Sequence, residues 1–283
     1  MNPDEYCQQK SAKSGSSFYY SFLFLPPLKR RAITALYAFC REVDDVVDEC
    51  SDTSIAATKL AWWRTEINAM MLGRPTHPVT RALEPLSKQF NITEARLNAI
   101  IDGMQMDLDQ TRYLDYVGLK LYCHRVAGVV GILAAEIFGY SQPEKTLGYA
   151  DQLGLALQLT NIIRDVGEDA RKGRIYLPLE DLKKFDVTAA QILRFERSDN
   201  FVRLMTFQVQ RAREQYRIAY AMLPQTDVKA QRTGLIMSSI YSDLLNEIER
   251  NGFKMLSERT SLTPLRKLWL AWRTWVSSRP APV

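Results

Sequence analysis

Residues Leu153 to Asp169 read Leu-Gly-Leu-Ala-Leu-Gln-Leu-Thr-Asn-Ile-Ile-Arg-Asp-Val-Gly-Glu-Asp. At about 100° per residue, Gln158, Asn161, Asp165 and Asp169 share one stripe of a helix. Leu155, Leu157, Leu159, Ile162, Ile163 and Val166 cover the other sides. A helix that is apolar on most sides is a buried one. Its polar stripe must then face an internal polar cavity, because buried polar groups without partners are costly.

The same helical period runs along nearly the whole chain. Pro26-Pro27 opens a helix to about Glu49, and a second runs from about Ile55 to Leu72, ending at Gly73-Arg74-Pro75. Asn91 with Glu94, and Ser141 with Glu144, have the spacing of capping boxes. Thr263-Pro264 fits an N-cap followed by proline at the first helical position. Only 13 glycines and 12 prolines punctuate 283 residues, too few for the frequent turns of a β-rich chain. The reading is all-α, a single domain over 1–283 with a tail at 279–283 expected to be disordered.

Composition narrows the function. Lys+Arg 37 against Asp+Glu 32 gives a mild net charge of +5, and the most telling clusters are acidic, which argues against a nucleic-acid partner. Two histidines, His77 and His124, are too few for most imidazole metal sites. The cysteines Cys7, Cys40, Cys50 and Cys123 include no C-x-x-C pair, so a reduced, cytoplasmic protein is expected. MNPDEYCQQK lacks the pattern of a signal peptide. The longest apolar run, Val126 to Ala135, falls short of a bilayer span, so no membrane crossing is expected.

A second acidic stretch, Tyr37-Ala-Phe-Cys-Arg-Glu-Val-Asp-Asp-Val-Val-Asp48, puts Tyr37, Arg41, Asp44 and Asp48 on one stripe with Asp45 beside it. The adjoining stripe is apolar (Ile33, Leu36, Cys40, Val43, Val47), so these acids sit at the edge of a buried face. A lone Asp-x-x-x-Asp is ordinarily a solvated helix face. Two copies, each with an arginine and each against apolar surface, read as a site. Two unit charges ~5 Å apart repel by roughly 3 kcal/mol at an effective dielectric near 20, so Asp44, Asp45, Asp48, Asp165 and Asp169 together call for cations. Oxygen ligands alone favour Mg²⁺, usually shared with substrate phosphates. Arg41, Arg164, Arg171, Lys172 and Arg174 supply positive charge nearby. The pattern predicts a divalent-metal site for a diphosphate. The segment Arg171 to Pro178 is expected to order over that anion.

Leu121-Tyr-Cys-His-Arg-Val-Ala-Gly-Val-Val-Gly131 and Gln158-Leu-Thr-Asn-Ile-Ile-Arg-Asp-Val-Gly-Glu-Asp169 resemble signature segments of the squalene/phytoene synthase family. Ser14-Gly-Ser-Ser-Phe-Tyr-Tyr-Ser-Phe22, Cys40-Arg-Glu-Val-Asp-Asp-Val-Val-Asp48 and Gly173-Arg-Ile-Tyr-Leu-Pro178 match it in order. The resemblance implies a class I isoprenoid synthase-type helical bundle with a central cavity. It also implies head-to-head condensation of two farnesyl diphosphates. Within the family the likeness is to bacterial enzymes that make presqualene diphosphate, the squalene and hopanoid precursor. By that likeness Asp44, Asp48, Asp165 and Asp169 hold Mg²⁺, with Gln158 and Asn161 assisting. Arg41 and Arg164 meet phosphate or brace the aspartates, and Ser17, Phe18 and Phe22 shape the cavity mouth and wall. Tyr37, Tyr122 and Tyr241 line the reaction centre. Ser14 stands where some relatives carry histidine.

Phytoene, dehydrosqualene and squalene synthesis begin in the same way, the last requiring NADPH. The bare pattern also fits a head-to-tail elongator or a terpene cyclase, whose second metal motif resembles Asn161, Asp165 and Asp169. A non-catalytic helical assembly protein is a further alternative. The small residues Ala127, Gly128, Gly131, Ala134 and Ala135 suit either a prenyl tunnel or close helix packing. At the C-terminus, Leu265, Leu268, Trp269, Trp272 and Trp275/Val276 recur at helical spacing among Arg266, Lys267 and Arg273. A basic, tryptophan-bearing helix at 264–276 either docks on the core or makes peripheral contact with an anionic membrane.

Overall fold

The computed structural model describes residues 1–13, 21, 22, 24–50 and 52–278. Ser14, Ser17, Phe18 and the tail 279–283 lie outside the described residues. Twelve helices follow one another among those described: α1 (Pro3–Lys13), α2 (Pro27–Glu49), α3 (Thr53–Met71), α4 (Pro78–Ser87), α5 (Glu94–Asp109), α6 (Tyr116–Phe138), α7 (Pro143–Arg171), α8 (Leu179–Lys184), α9 (Ala189–Leu193), α10 (Asp199–Met222), α11 (Arg232–Arg250) and α12 (Pro264–Ser277). The described residues contain no strand, only an isolated bridge between Arg112 and Ile175.

Local sequence explains most boundaries. Pro27 starts α2, where its missing N–H costs nothing. Asp52 caps α3 by accepting from the Ser54 and Ile55 amides. Thr263 caps α12 with Pro264 behind it. Both proposed capping boxes are corrected. Thr93, not Asn91, caps α5, and Asn91 adopts a left-handed backbone while its amide donates to Glu136. At α7 the N-cap position is Gln142, and Ser141 is itself held by Asp227 from a distant segment.

The apolar run at Val126 is part of a longer helix than the composition suggested. By length and composition alone, Tyr116–Phe138 is long and apolar enough to cross a membrane, which corrects the expectation that no segment is. It packs between α5 and α7. Its turn His124–Gly128 is a π-helix, an irregularity often found at functional sites.

Two apolar clusters form the core. One gathers α7, α10 and α11 with parts of α6 and α12, and the other gathers α1 to α5 with the C-terminal half of α6. Between them lies a cavity of about 490 Å³, walled by α2, α6, α7 and α11. The buried faces of α2 and α7 are thus turned towards the same space.

Candidate active site

The cavity joins an apolar interior to a charged rim. Ile33, Leu36 and Cys40 of α2, Val126, Val130 and Ala134 of α6, Leu153 and Leu157 of α7, and Met237 and Ile240 of α11 line its interior. Phe138 lies at the end away from the acids, where its carbonyl accepts from Lys29 Nζ at 2.6 Å. Gln231, bonded to the Gly139 carbonyl at 2.9 Å, seals the same end. Towards the other end the walls become Tyr37, Arg41 and Asp44 on α2, and Gln158, Asn161 and Arg164 on α7. Asp48, Asp165 and Asp169 follow about one turn further along these two helices.

Every rim carboxylate except Asp169 is tied to a named cation or hydroxyl. Arg41 donates to Asp44 and to Asp45, each at 2.6 Å. Asp48 is bridged by Lys172 and Arg174, both at 3.1 Å. Asp165 pairs with the adjacent Arg164 and, at 3.0 Å, with Arg259. The buried guanidinium of Arg164 is held firmly protonated by Asp165 and by the Tyr241 hydroxyl. Arg164, Arg259 and Lys267 crowd one side of the cavity, and the two arginines together with burial push the Lys267 ammonium below its usual value.

The structure adds a carboxylate that sequence patterning missed. Asp107, buried on α5, accepts from the Tyr122 hydroxyl at 3.0 Å and the Tyr176 hydroxyl at 2.8 Å. The two rings stack at 5.2 Å with Tyr113 beside them. A lone aspartate in a mixed helix looks solvated; only packing of α5 against α6 and the 171–178 segment buries it. Arg259, Lys267 and Tyr149 also line the cavity, from an irregular loop, from α12 and from the mixed polar first half of α7, where local pattern marks none of them.

Burial leaves several acids under strain. It pushes the Asp44 carboxyl up to about 6 despite Arg41. Asp107 rises to about 6, burial outweighing its tyrosine donors and Arg174. Asp169 rises to about 7, through burial and the neighbouring Asp165. Asn161 donates its amide to Gln158, and its own buried Oδ1 has no hydrogen-bond partner. An orphaned hard oxygen in line with under-neutralised carboxylates fits a divalent cation such as Mg²⁺. Among the described residues no three acidic, histidine or cysteine side chains converge as a ready-made metal cage.

The proposed site residues divide as follows. Tyr37, Arg41, Asp44, Tyr122, Gln158, Asn161, Arg164, Tyr241 and Phe22 line the cavity, and Asp48, Asp165 and Asp169 stand next to it. Arg174 reaches the rim through Asp48. Asp45 turns away from the cavity. It bonds Lys10 of α1 at 2.8 Å and borders a separate groove with Glu42, Trp62 and His77. Arg171 also points elsewhere, over the Phe195 ring. The segment after Asp169 is a strap: Ile175 N–H donates to Thr111, Arg112 to the Gly173 carbonyl, and Leu179 N–H to Tyr113.

The small residues divide between the cavity wall and helix packing. Ala127, Gly131 and Ala134 line the cavity, while Ala135 is buried in the core. A Cβ on Gly131 would lie 2.3 Å from the Ala150 carbonyl, and one on Gly154 2.4 Å from that of Ala127. These glycines bring α6 and α7 into backbone contact.

A helical fold around a cavity with an apolar interior and an acid-and-arginine rim is of the isoprenoid-synthase type. Residues 11–266 match the squalene/phytoene synthase family. The chain is 35% identical to the phytoene synthase of Arthrospira platensis over 93% of its length and 89% of that protein's. Against the 15-cis-phytoene synthase of Synechocystis it is 34% identical over 95% and 84%. In structure it resembles a dehydrosqualene synthase solved with a ligand, at TM-score 0.88 and 28% identity over 98% and 97% of the two chains. It also resembles the squalene synthase HpnC of Alicyclobacillus acidocaldarius, at 0.78 and 28% over 89% and 94%. The chain belongs to the squalene/phytoene synthase family, whose members are prenyltransferase-type enzymes.

Proposed function

We propose that this protein joins two farnesyl diphosphates head to head and releases presqualene diphosphate. The observation that carries the reading is the cavity's length. Its α6 wall runs from Ala127 to Phe138, about 16 Å at the helical rise, ending at the Phe138 and Gln231 seal. An extended farnesyl chain spans that distance, and a chain one isoprene unit longer overruns it.

Asp44, Asp48, Asn161, Asp165 and Asp169 would hold Mg²⁺, which would supply positive charge to a diphosphate leaving group. Arg41, Arg164, Arg259 and Lys267 offer donors to phosphate oxygens along the same rim. The apolar walls exclude water that would quench an allylic cation, and the faces of Tyr37, Tyr122 and Tyr241 attract positive charge. The second farnesyl double bond attacks that cation, and loss of a proton closes the cyclopropane. Burial holds the Tyr122 phenol well above its ordinary value, and its O–H donates to Asp107. A protonated phenol is a poor base, so released diphosphate is the proton acceptor in this reading.

A second reading, phytoene synthesis from the longer geranylgeranyl diphosphate, is favoured by the phytoene synthases among the relatives. Incubating the purified chain with each diphosphate and Mg²⁺, with and without NADPH, and analysing products by mass distinguishes them. The expected result is a thirty-carbon diphosphate ester from farnesyl diphosphate, unchanged by NADPH. A forty-carbon hydrocarbon would install the second reading, a thirty-carbon hydrocarbon would move the product to squalene or dehydrosqualene, and absence of diphosphate release would overturn the enzyme assignment.

A further inference from the structure

We infer that the outer face of α12 is a bilayer-contact surface that adsorbs through apolar side chains and places the cavity mouth against the membrane. Only Leu270, Ala271 and Thr274 of α12 are buried. Leu265 (79%), Leu268 (41%), Trp269 (53%), Trp272 (58%) and Val276 (63%) remain exposed along a single face. The simpler expectation, that this face docks on the core, is therefore not met. Of the three tryptophans of α12, Trp275 turns inward, stacked on Phe24 at 5.0 Å and beneath Arg232.

Two of the three charges flanking this face are turned to other work. Arg266 is engaged by Asp243 and Glu247, and Lys267 lines the cavity. Arg273 remains on the outer side, over the Trp269 ring at 4.7 Å. Adsorption is thus expected to come from buried apolar area and interfacial indoles, not from attraction to anionic headgroups. The exposed side chains present on the order of 500 Å² of apolar surface, below the ~800 Å² per partner of a stable dimer. Continuity with the site also favours a bilayer. The loop 259–262 that leads into α12 lines the cavity, and its Arg259 and Ser261 are exposed there. The proposed function supplies the purpose, since its substrate and product both carry long hydrocarbon chains, but vesicle binding itself needs no turnover.

The test is co-sedimentation of the full chain with vesicles of phosphatidylcholine alone, and of phosphatidylcholine with phosphatidylglycerol, at low and high salt. The comparison protein carries Trp269→Ser and Trp272→Ser, with Leu265→Ser and Val276→Ser as the substitute should that variant misfold. Binding to neutral vesicles that survives high salt and falls at least tenfold in the variant is expected, with diphosphate release from dispersed substrate unchanged. Equal binding by both proteins, or binding confined to anionic vesicles and abolished by salt, would overturn the inference. So would a solution dimer that the substitutions dissociate. Loss of diphosphate release in the parent protein would sink the functional reading and leave the vesicle result standing.

Discussion

At the scale of single residues, the two aspartate stripes behave differently although their sequences look alike. Asp44 is half-buried, and its carboxyl is raised to about 6 by desolvation despite the Arg41 pair, so ionisation at neutral pH is opposed by its surroundings. Asp44→Asn is expected to abolish diphosphate release while leaving stability at pH 7.5 unchanged or higher, because it removes a charge that burial and Asp48 disfavour. Asp165 is the acid of an ion pair with the buried Arg164 and with Arg259. Asp165→Asn is expected to abolish release too, but to lower the melting temperature, since it leaves the largely shielded Arg164 guanidinium without its carboxylate. Parallel melts of the two variants check this; equal shifts would contradict the difference in ion pairing, since Arg41 keeps Asp45 whereas Arg164 has Asp165 as its carboxylate. The chain Lys10–Asp45–Arg41–Asp44 gives Lys10 a positioning role from outside the cavity. Lys10→Met should reduce turnover severalfold with little change in melting temperature, and Lys10→Arg should restore it.

At the scale of elements, α7 carries the sharper half of the site, and its start is fixed by a residue more than 80 positions downstream. Asp227 accepts from the Ser141 and Gln142 amides at 2.8 and 3.0 Å and from the Ser141 and Thr146 hydroxyls. These bonds favour the carboxylate and hold its carboxyl down at about 2 although burial opposes this. A folded value below the unfolded one means stability that is complete above pH ~4 and lost as pH falls towards 2. Asp227→Asn should cost about 1–2 kcal/mol at pH 7, and the gap to the parent should close in denaturation curves near pH 2. Ser141 with Glu144 looked like a capping box because local spacing is all that a sequence window shows; the actual acceptor comes from the loop after α10.

At the scale of the whole molecule, the site exists because α2 and α7 are held across one cavity, and the α6–α7 contact sets that separation. Gly154→Ala would drive a methyl towards the Ala127 carbonyl, which is backbone and cannot swing aside. A loss of about 1–3 kcal/mol is expected from urea denaturation, accompanied by weaker diphosphate release, although Gly154 bears no reactive group. The all-α class, the buried character of α7, the span of α2 and both aspartate stripes were legible in the sequence. Each rests on a period of 3.6 residues, which the chain carries within a few turns of itself. Tertiary structure alone decided that Asp107 is buried beneath Tyr122 and Tyr176 beside the rim, that Asp45 faces Lys10, and that Arg259 and Lys267 reach the cavity. It also decided that Trp275 turns inward while Trp269 and Trp272 stay outside. The reason is that helical periodicity fixes which residues share a face, whereas burial and charge depend on what another helix, distant in sequence, places opposite that face.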